Sequence, residues 1–298
     1  MHKDIAVLMG PTGAGKSALA LEVAAQRPTV IINADAMQMV AGLRVITARP
    51  TLAEEAQAEH ALYGVLRPQE PTSVACWLAR VKPVIVRAWD EGKLPLLVGG
   101  TGMYVKALME GLAEIPSIPD AVRTRVRALD AAAVRAELER HDAAMAARLK
   151  AGDRQRNLRA LEVIEATGTS LAVWQARAVQ PAFPEARFHR FMLQPPRDAM
   201  YARINRRFEV MLAQGALAEV AALAALALPP ELPILRAHGV PELLAHLRGE
   251  MPLDAAVAQA QQNTRHYAKR QVTWLRNQWA DAAVVAGAAD LLPALAEA

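Results

Sequence analysis

Short apolar runs, each closed by glycine or a polar turn, alternate with longer stretches of helical spacing along the first hundred residues. Residues 5–9 (Ile5-Ala6-Val7-Leu8-Met9) read as a buried strand, followed by a glycine-rich loop and an Ala/Leu helix from Lys16. A second strand is predicted at Thr29–Asn33, stopping at Ala34-Asp35. The helical stretch 81–91 leads into a third strand, 94–98, which ends in Gly99-Gly100. Strand–helix alternation of this kind predicts an α/β fold with a parallel, doubly wound sheet.

After Gly111 the pattern changes. Residues 117–180 hold several helical segments and no strand-like run. Asp120 is placed as the cap of a helix carrying Val122, Val126 and Leu129, and Asp153 as the cap of one carrying Leu158, Leu161 and Ile164. Pro181 to Pro184 reads as a linker, and residues 188–193 as a strand before Pro195-Pro196. From Arg197 the chain is helical, with breaks at Pro229-Pro230 and near Gly239. The expected organisation is a core of 1–112 and 187–298 with a helical insertion, 113–186.

Gly10-Pro11-Thr12-Gly13-Ala14-Gly15-Lys16-Ser17 sits between the first strand and first helix and fits the phosphate-loop spacing G-x-x-x-x-G-K-[ST]. Glycines let backbone N–H groups curl around phosphate oxygens, and the helix N-terminus adds partial positive charge. Lys16 is the candidate for a terminal phosphate, and Ser17 for Mg²⁺. The loop predicts a P-loop NTPase-like core but leaves the reaction open. A small-molecule kinase, an RNA-binding NTPase and a transferase all fit it. Ligands of such sheets lie at the carboxyl ends of strands, so Asp35, Thr101 and the loop are expected to converge.

Composition narrows this modestly. The chain has 298 residues, 53% hydrophobic and 21% charged, which excludes disorder; a formal charge of +4 fits polyanionic partners and equally the Arg-rich composition of a GC-rich genome. A lone cysteine, Cys76, excludes an internal disulfide. No apolar stretch reaches membrane-spanning length, so the expected compartment is the cytoplasm and no membrane partner is expected.

A set of motifs in order along the chain adds specificity. They are the phosphate loop, Asn33-Ala34-Asp35-Ala36-Met37-Gln38, Thr47-Ala48-Arg49-Pro50, Val98-Gly99-Gly100-Thr101-Gly102-Met103-Tyr104, Gln155-Arg156-Asn157-Leu158-Arg159 and Thr264 through Arg276. Together they resemble the tRNA dimethylallyltransferases. The resemblance implies Mg²⁺-dependent transfer of a dimethylallyl group from dimethylallyl diphosphate to N6 of the adenosine 3′ of the anticodon. The implied partner is the tRNA anticodon stem-loop, and the expected state is a monomer. A closer rival is prenyl transfer to free adenine nucleotides, against which the helical insertion argues.

Asp35 is then the candidate base and Thr101 its neighbour at the reacting centre, with Mg²⁺ on Ser17. The resemblance assigns tRNA contact to Asp35, Ala36, Met37, Gln38, Thr101, Arg123 and the segment Gln155, Arg156, Asn157, Leu158, Arg159. Arg265 and Lys269 are expected to join them from the last core helix. By spacing alone, Gln155, Arg156, Arg159 and Glu162 share a solvated face. Four departures stand out: Ala36 for the usual Ser, Val40 for Tyr, Arg44-Val45-Ile46 for Asp-Ile-Gly, and His238-Gly239-Val240-Pro241-Glu242 for Val-Gly-Tyr-Arg-Gln. The family's pyrophosphate arginine falls at Pro241, and Arg236 is the expected substitute.

Overall fold

The computed structural model describes residues 3–177 and 179–296; the outer ends of the expected core, 1 and 298, lie outside the described residues. Among the described residues, six strands form one parallel sheet: β1 (Asp4–Met9), β2 (Thr29–Asn33), β3 (Glu59–Ala61), β4 (Leu94–Gly99), β5 (Arg187–Leu193) and β6 (Ala283–Val285), in the order β3-β2-β4-β1-β5-β6. β1, β2 and β4 are buried almost throughout, as strands covered by helices on both faces must be. Ile5, Leu8, Ile31, Ile32, Leu96 and Leu97 are among the largest fully buried side chains.

The register sets the site. Met9 pairs with Gly99 and Met192, and Asn33 pairs with Val98, so β1, β2, β4 and β5 end together at one edge. From β1 the chain crosses to β2 on one side, and after β4 it resumes beyond β1 at β5. The phosphate loop thus opens at the reversal of strand order.

The four strands expected from sequence are present. β3 and β6 have no counterpart in the sequence pattern. Both are three residues long and lie at the sheet edges, too short to show a period. The helix before β4 runs Val74–Asp90, seven residues earlier than its sequence pattern shows, and carries Pro83 inside it.

The chain divides into two compact units, one up to Met109 and again from Ala182, the other Glu110–Pro181. The expected insertion, 113–186, is therefore displaced by a few residues at each end. The second unit consists of helices Asp120–Ala128, Ala131–His141, Ala143–Arg148, Arg154–Thr167 and Leu171–Ala176. It has its own core of Val126, Val134, Leu138, Met145, Leu161 and Val163. Asp130, Asp142, Asp153 and Ser170 each cap a helix by accepting a backbone N–H. Such caps typically contribute ~1 kcal/mol each. Asp120 is not a cap. Pro119 occupies that position and Asp120 is the first helical residue, where its charge favours the positive end of the helix dipole.

Candidate active site

The phosphate loop leaves β1 in a conformation only glycine adopts easily, with φ of 78° at Gly13 and 102° at Gly15. Gly15 is the residue before helix Lys16–Ala24. The loop edges a pocket of about 510 Å³ whose lining includes Thr12, Lys16, Ser17, Asp35, Gln38 and Arg207. Lys16 Nζ donates to the carbonyls of Gly10 and Pro11 at 2.9 and 3.0 Å. Burial lowers its pKa to about 8; the Asp35 carboxylate raises it and Arg207 lowers it further. Ser17 lines the same pocket.

Asp35 is held by the residue two before it. Asn33 is fully buried; its Oδ1 accepts from the Asp35 N–H at 2.8 Å, and its Nδ2 donates to the carbonyls of Asp35 and Leu62. Asp35 Oδ1 in turn accepts from the Met37 N–H at 3.0 Å. Gly99 makes this turn possible: a Cβ there would lie 2.1 Å from the Ala34 carbonyl oxygen. The close approach lets the Thr101 N–H donate to Ala34 O, and the Ala36 N–H donate to Thr101 Oγ1 at 3.1 Å. These bonds bring the Asp35 turn and Thr101 together, with the Thr101 hydroxyl accepting from the residue after Asp35.

The electrostatics of the site centre on Asp35. Its charge opposes the lowering of Lys16, Arg207 and His238 by burial, and adds to the burial that raises the Tyr63, Tyr104 and Tyr267 phenols.

Two residues that sequence reasoning missed complete the pocket. Arg207, on helix Arg197–Ala213, donates to Thr12 Oγ1 at 2.6 Å, and burial lowers its pKa. Gln271, on helix Leu253–Gln278, accepts from the Thr12 N–H at 2.8 Å and donates to Gly100 O at 3.0 Å. A Cβ on Gly100 would meet Gln271 Nε2 at 2.2 Å. Arg207 has no local motif, and Gln271 lies within the family-like run 264–276 without a role assigned to it there; each acts on a loop more than 170 residues away in sequence. For Arg207 the signal is a pair of arginines, Arg206-Arg207, on a helix that otherwise reads as ordinary.

The expected substitute arginine is elsewhere. Arg236 lines a separate pocket with His238 and Glu242. Arg207 is the arginine bonded to the phosphate loop. Gln38 Nε2 donates to the carbonyls of Thr47 and Ala48, both at 2.9 Å. Its donors pin the neighbouring loop, leaving only its oxygen for a base. Arg265 is tied to Asn205 Oδ1 at 2.6 Å, whereas Lys269 is exposed. The Trp274 ring lies over Gly102, where a Cβ would sit 2.2 Å from it.

In the second unit, Gln155 and Arg156 are exposed and Arg159 half-exposed. Arg156 pairs with Asp153 at 3.4 Å, and Arg123 with Asp120 at 3.3 Å. Glu162 does not share their solvated face. It is 4% exposed and takes ion pairs from Arg127 at 3.0 Å and Arg159 at 3.8 Å. Asn157, 1% exposed, is consumed internally: Nδ2 donates to Lys150 O and Asp153 O, and Oδ1 accepts from Arg135. Leu158 packs against the unit's core.

Fold and site together define a phosphate-loop α/β protein with a carboxylate sharing the pocket with the loop. The IPP transferase family model matches residues 38–278, and the isopentenyl transferase model residues 3–67. The chain belongs to the tRNA dimethylallyltransferase (IPP transferase) family. It is 51% identical to the tRNA dimethylallyltransferase of Rhodospirillum centenum, covering 94% of this chain and 90% of that one. It is 50% identical to that of a Bradyrhizobium species, covering 91% and 90%. The crystal structure of the tRNA isopentenylpyrophosphate transferase from Bacillus halodurans superposes with a TM-score of 0.68 at 30% identity, covering 95% and 89% of the two chains.

Proposed function

We propose that this chain transfers a dimethylallyl group from dimethylallyl diphosphate to N6 of the adenosine 3′ of the anticodon in tRNA, releasing diphosphate. The observation that carries this reading is the Asp35 carboxylate sharing one pocket with Lys16 and Arg207. An exocyclic amine is a poor nucleophile until a carboxylate takes its proton as the new bond forms. In the reaction, the N6–C bond forms, the C–O bond to diphosphate breaks, and its electron pair leaves with the diphosphate. Asp35 takes the N6 proton. Lys16, Arg207 and the N–H groups of Gly13 and Gly15 receive the developing charge. Thr101 orients the Asp35 turn and offers its hydroxyl at the reacting centre.

The Ser17 hydroxyl in a carboxylate-bearing pocket is a hard-oxygen environment suited to Mg²⁺. Ser17 would hold Mg²⁺, which would supply further charge neutralisation for the leaving diphosphate. For tRNA, Arg123, Gln155, Arg156 and Arg159 form the contact face of the second unit, with Lys269 and Arg265 contributing from the core. Ala36, Met37 and the free Gln38 oxygen lie beside Asp35 on the acceptor side. We assign this activity to the cytoplasm, carried out by a monomer. Among the described residues, no single helix is long and apolar enough to cross a membrane.

The test is incubation with dimethylallyl diphosphate and either unmodified tRNA or AMP, followed by nucleoside mass analysis. A gain of one five-carbon unit on tRNA adenosine alone is expected. Modification of AMP at a similar rate would move the substrate to free nucleotides, and no product on either would end the reading.

A further inference from the structure

The turn after β3 presents a polar group that the transfer chemistry above leaves unused. Leu62 adopts a φ of 66°, a left-handed conformation uncommon for a leucine, and Gly64 follows at 62°. Three contacts hold this turn. Asn33 Nδ2, the amide that donates to Asp35 O at 2.9 Å, also donates to Leu62 O at 3.0 Å. The Gly64 N–H donates to the backbone carbonyl of Gln38 at 2.9 Å. The Arg49 guanidinium lies against Gly64, where a Cβ would meet it at 2.3 Å. An unfavourable backbone conformation pinned on every side points to a side chain that has to be held in one direction.

That side chain is Tyr63. It packs against the core cluster containing Leu19, Ala20, Val23 and Leu96, and its ring meets that of His60 edge-on with centroids 5.6 Å apart. It also lines the phosphate pocket together with Lys16, Ser17 and Asp35. A tyrosine ring set in apolar surroundings calls for a partner at its hydroxyl. Among the described residues the Tyr63 hydroxyl has none. Burial raises the phenol well above its ordinary range, and the charges of Asp35 and Glu55 add to this. The group therefore stays O–H near neutral pH and serves as a hydrogen-bond donor, not as a base. Asp35 Oδ1 is already taken by the Met37 N–H. The phosphate loop draws a strong acceptor into the same pocket, namely an anionic phosphate oxygen.

We propose that the Tyr63 hydroxyl donates a hydrogen bond to the departing diphosphate and is a further catalytic residue of the transfer. This rests on the transferase reading above. No proton changes hands at Tyr63. The C–O bond breaks, its electron pair leaves with the diphosphate, and the bond from the phenol strengthens as charge builds on the phosphate oxygen. Because one Asn33 amide holds both turns, Tyr63 and Asp35 keep a fixed separation, one serving the leaving group and the other the N6 proton.

The experiment is Tyr63→Phe, which removes the hydroxyl and keeps the ring. Calorimetric titration with inorganic diphosphate should show an affinity about tenfold weaker. Single-turnover transfer at saturating donor and tRNA should slow by about a hundredfold, since the bond matters most as charge develops. The tRNA Kd, the melting temperature and the acidic limb of the rate profile should stay as in the unaltered protein. An acidic limb that moves while diphosphate affinity holds would assign the hydroxyl to Asp35 and overturn the inference, as would unchanged affinity and rate. If Tyr63→Phe melts early, fluorotyrosine at position 63 takes its place. Its more acidic phenol of nearly the same shape should tighten diphosphate, and an unaltered affinity would again overturn the inference. Absence of transfer by the unaltered protein would strike the transferase reading, and the diphosphate titrations would still decide whether Tyr63 touches this ligand.

Discussion

The phosphate pocket and the Arg154–Thr167 helix are both rich in charge, and they use it in opposite ways. In the pocket, Lys16 and Arg207 are half-buried, tied to loop carbonyls and the Thr12 hydroxyl, and within the field of Asp35. On the helix, Arg156 keeps 75% of its side chain in water and Arg159 43%, with neighbouring carboxylates at 3.4 and 3.8 Å. Charges held in low dielectric at fixed positions act on particular atoms of a ligand. Exposed charges on flexible stems act on its overall field, are screened by salt, and contribute little as surface pairs. The first arrangement suits a leaving group, and the second suits a long polyanion.

The largest effect that would break this contrast is at Asp35. Asp35→Asn retains an oxygen for the Met37 N–H, so the turn should survive, but the side chain cannot take a proton. Single-turnover transfer should fall ~10²–10⁴-fold while donor and tRNA still bind. Recovery of the rate at high Mg²⁺ would move Asp35 from proton acceptor to metal-binding group, and near-normal turnover at low Mg²⁺ would leave it a structural residue.

Arg207→Ala comes next. Loss of a charged hydrogen-bond donor should weaken diphosphate binding about 10–100-fold, corresponding to ~1.5–3 kcal/mol. Arg236→Ala should leave that affinity unchanged, as its pocket is separate. Calorimetric titration of both variants with inorganic diphosphate decides which arginine serves the loop.

Acidity sharpens the comparison further. Lys16 is lowered to about 8 in the free protein, so below that pH it is a cation and above it increasingly neutral. Diphosphate stabilises the cation, so binding takes up a proton above pH 8, and affinity should fall as pH rises through that value, by up to about tenfold per unit. A diphosphate affinity that stays flat on both sides of the Lys16 value would show that Lys16 is not at the ligand.

The smallest effect is on the helix face. Replacing Arg156 and Arg159 together should reduce the slope of log tRNA affinity against log salt by roughly 0.7–0.9 for each phosphate no longer neutralised. An unchanged slope would return this face to plain solvation.

The same contrast explains what is legible in the sequence. The phosphate loop and the central strands are contiguous, and their apolar runs and glycines carry their meaning locally; hence Gly10 through Ser17 and the ends of β1, β2 and β4 fall where expected. Thr101 and Asp35 are readable as residues at neighbouring strand ends. The backbone approach that joins them, through Gly99, arises only when β2 and β4 lie side by side. Helical spacing fails at Glu162 and Asn157 because it assigns a face without knowing what packs there. The Asp120–Ala128 and Ala131–His141 helices supply Arg127 and Arg135, which make burial of both polar groups tolerable. The roles of Arg207 and Gln271 are hidden for a different reason, even though Gln271 lies in a family-like run: each is defined by a partner far away in the chain.

Gln271 has a consequence of its own. One planar amide spans Thr12 and Gly100, accepting from one loop with its oxygen and donating to the other with its nitrogen. The span is rigid, so the phosphate loop and the segment leading to Thr101 share a ruler. A ligand that shifts Thr12 must break one bond or move Gly100 with it. Under the proposed reading, donor binding at Thr12 would be felt toward Thr101, and by thermodynamic reciprocity an acceptor there would alter donor affinity by the same factor.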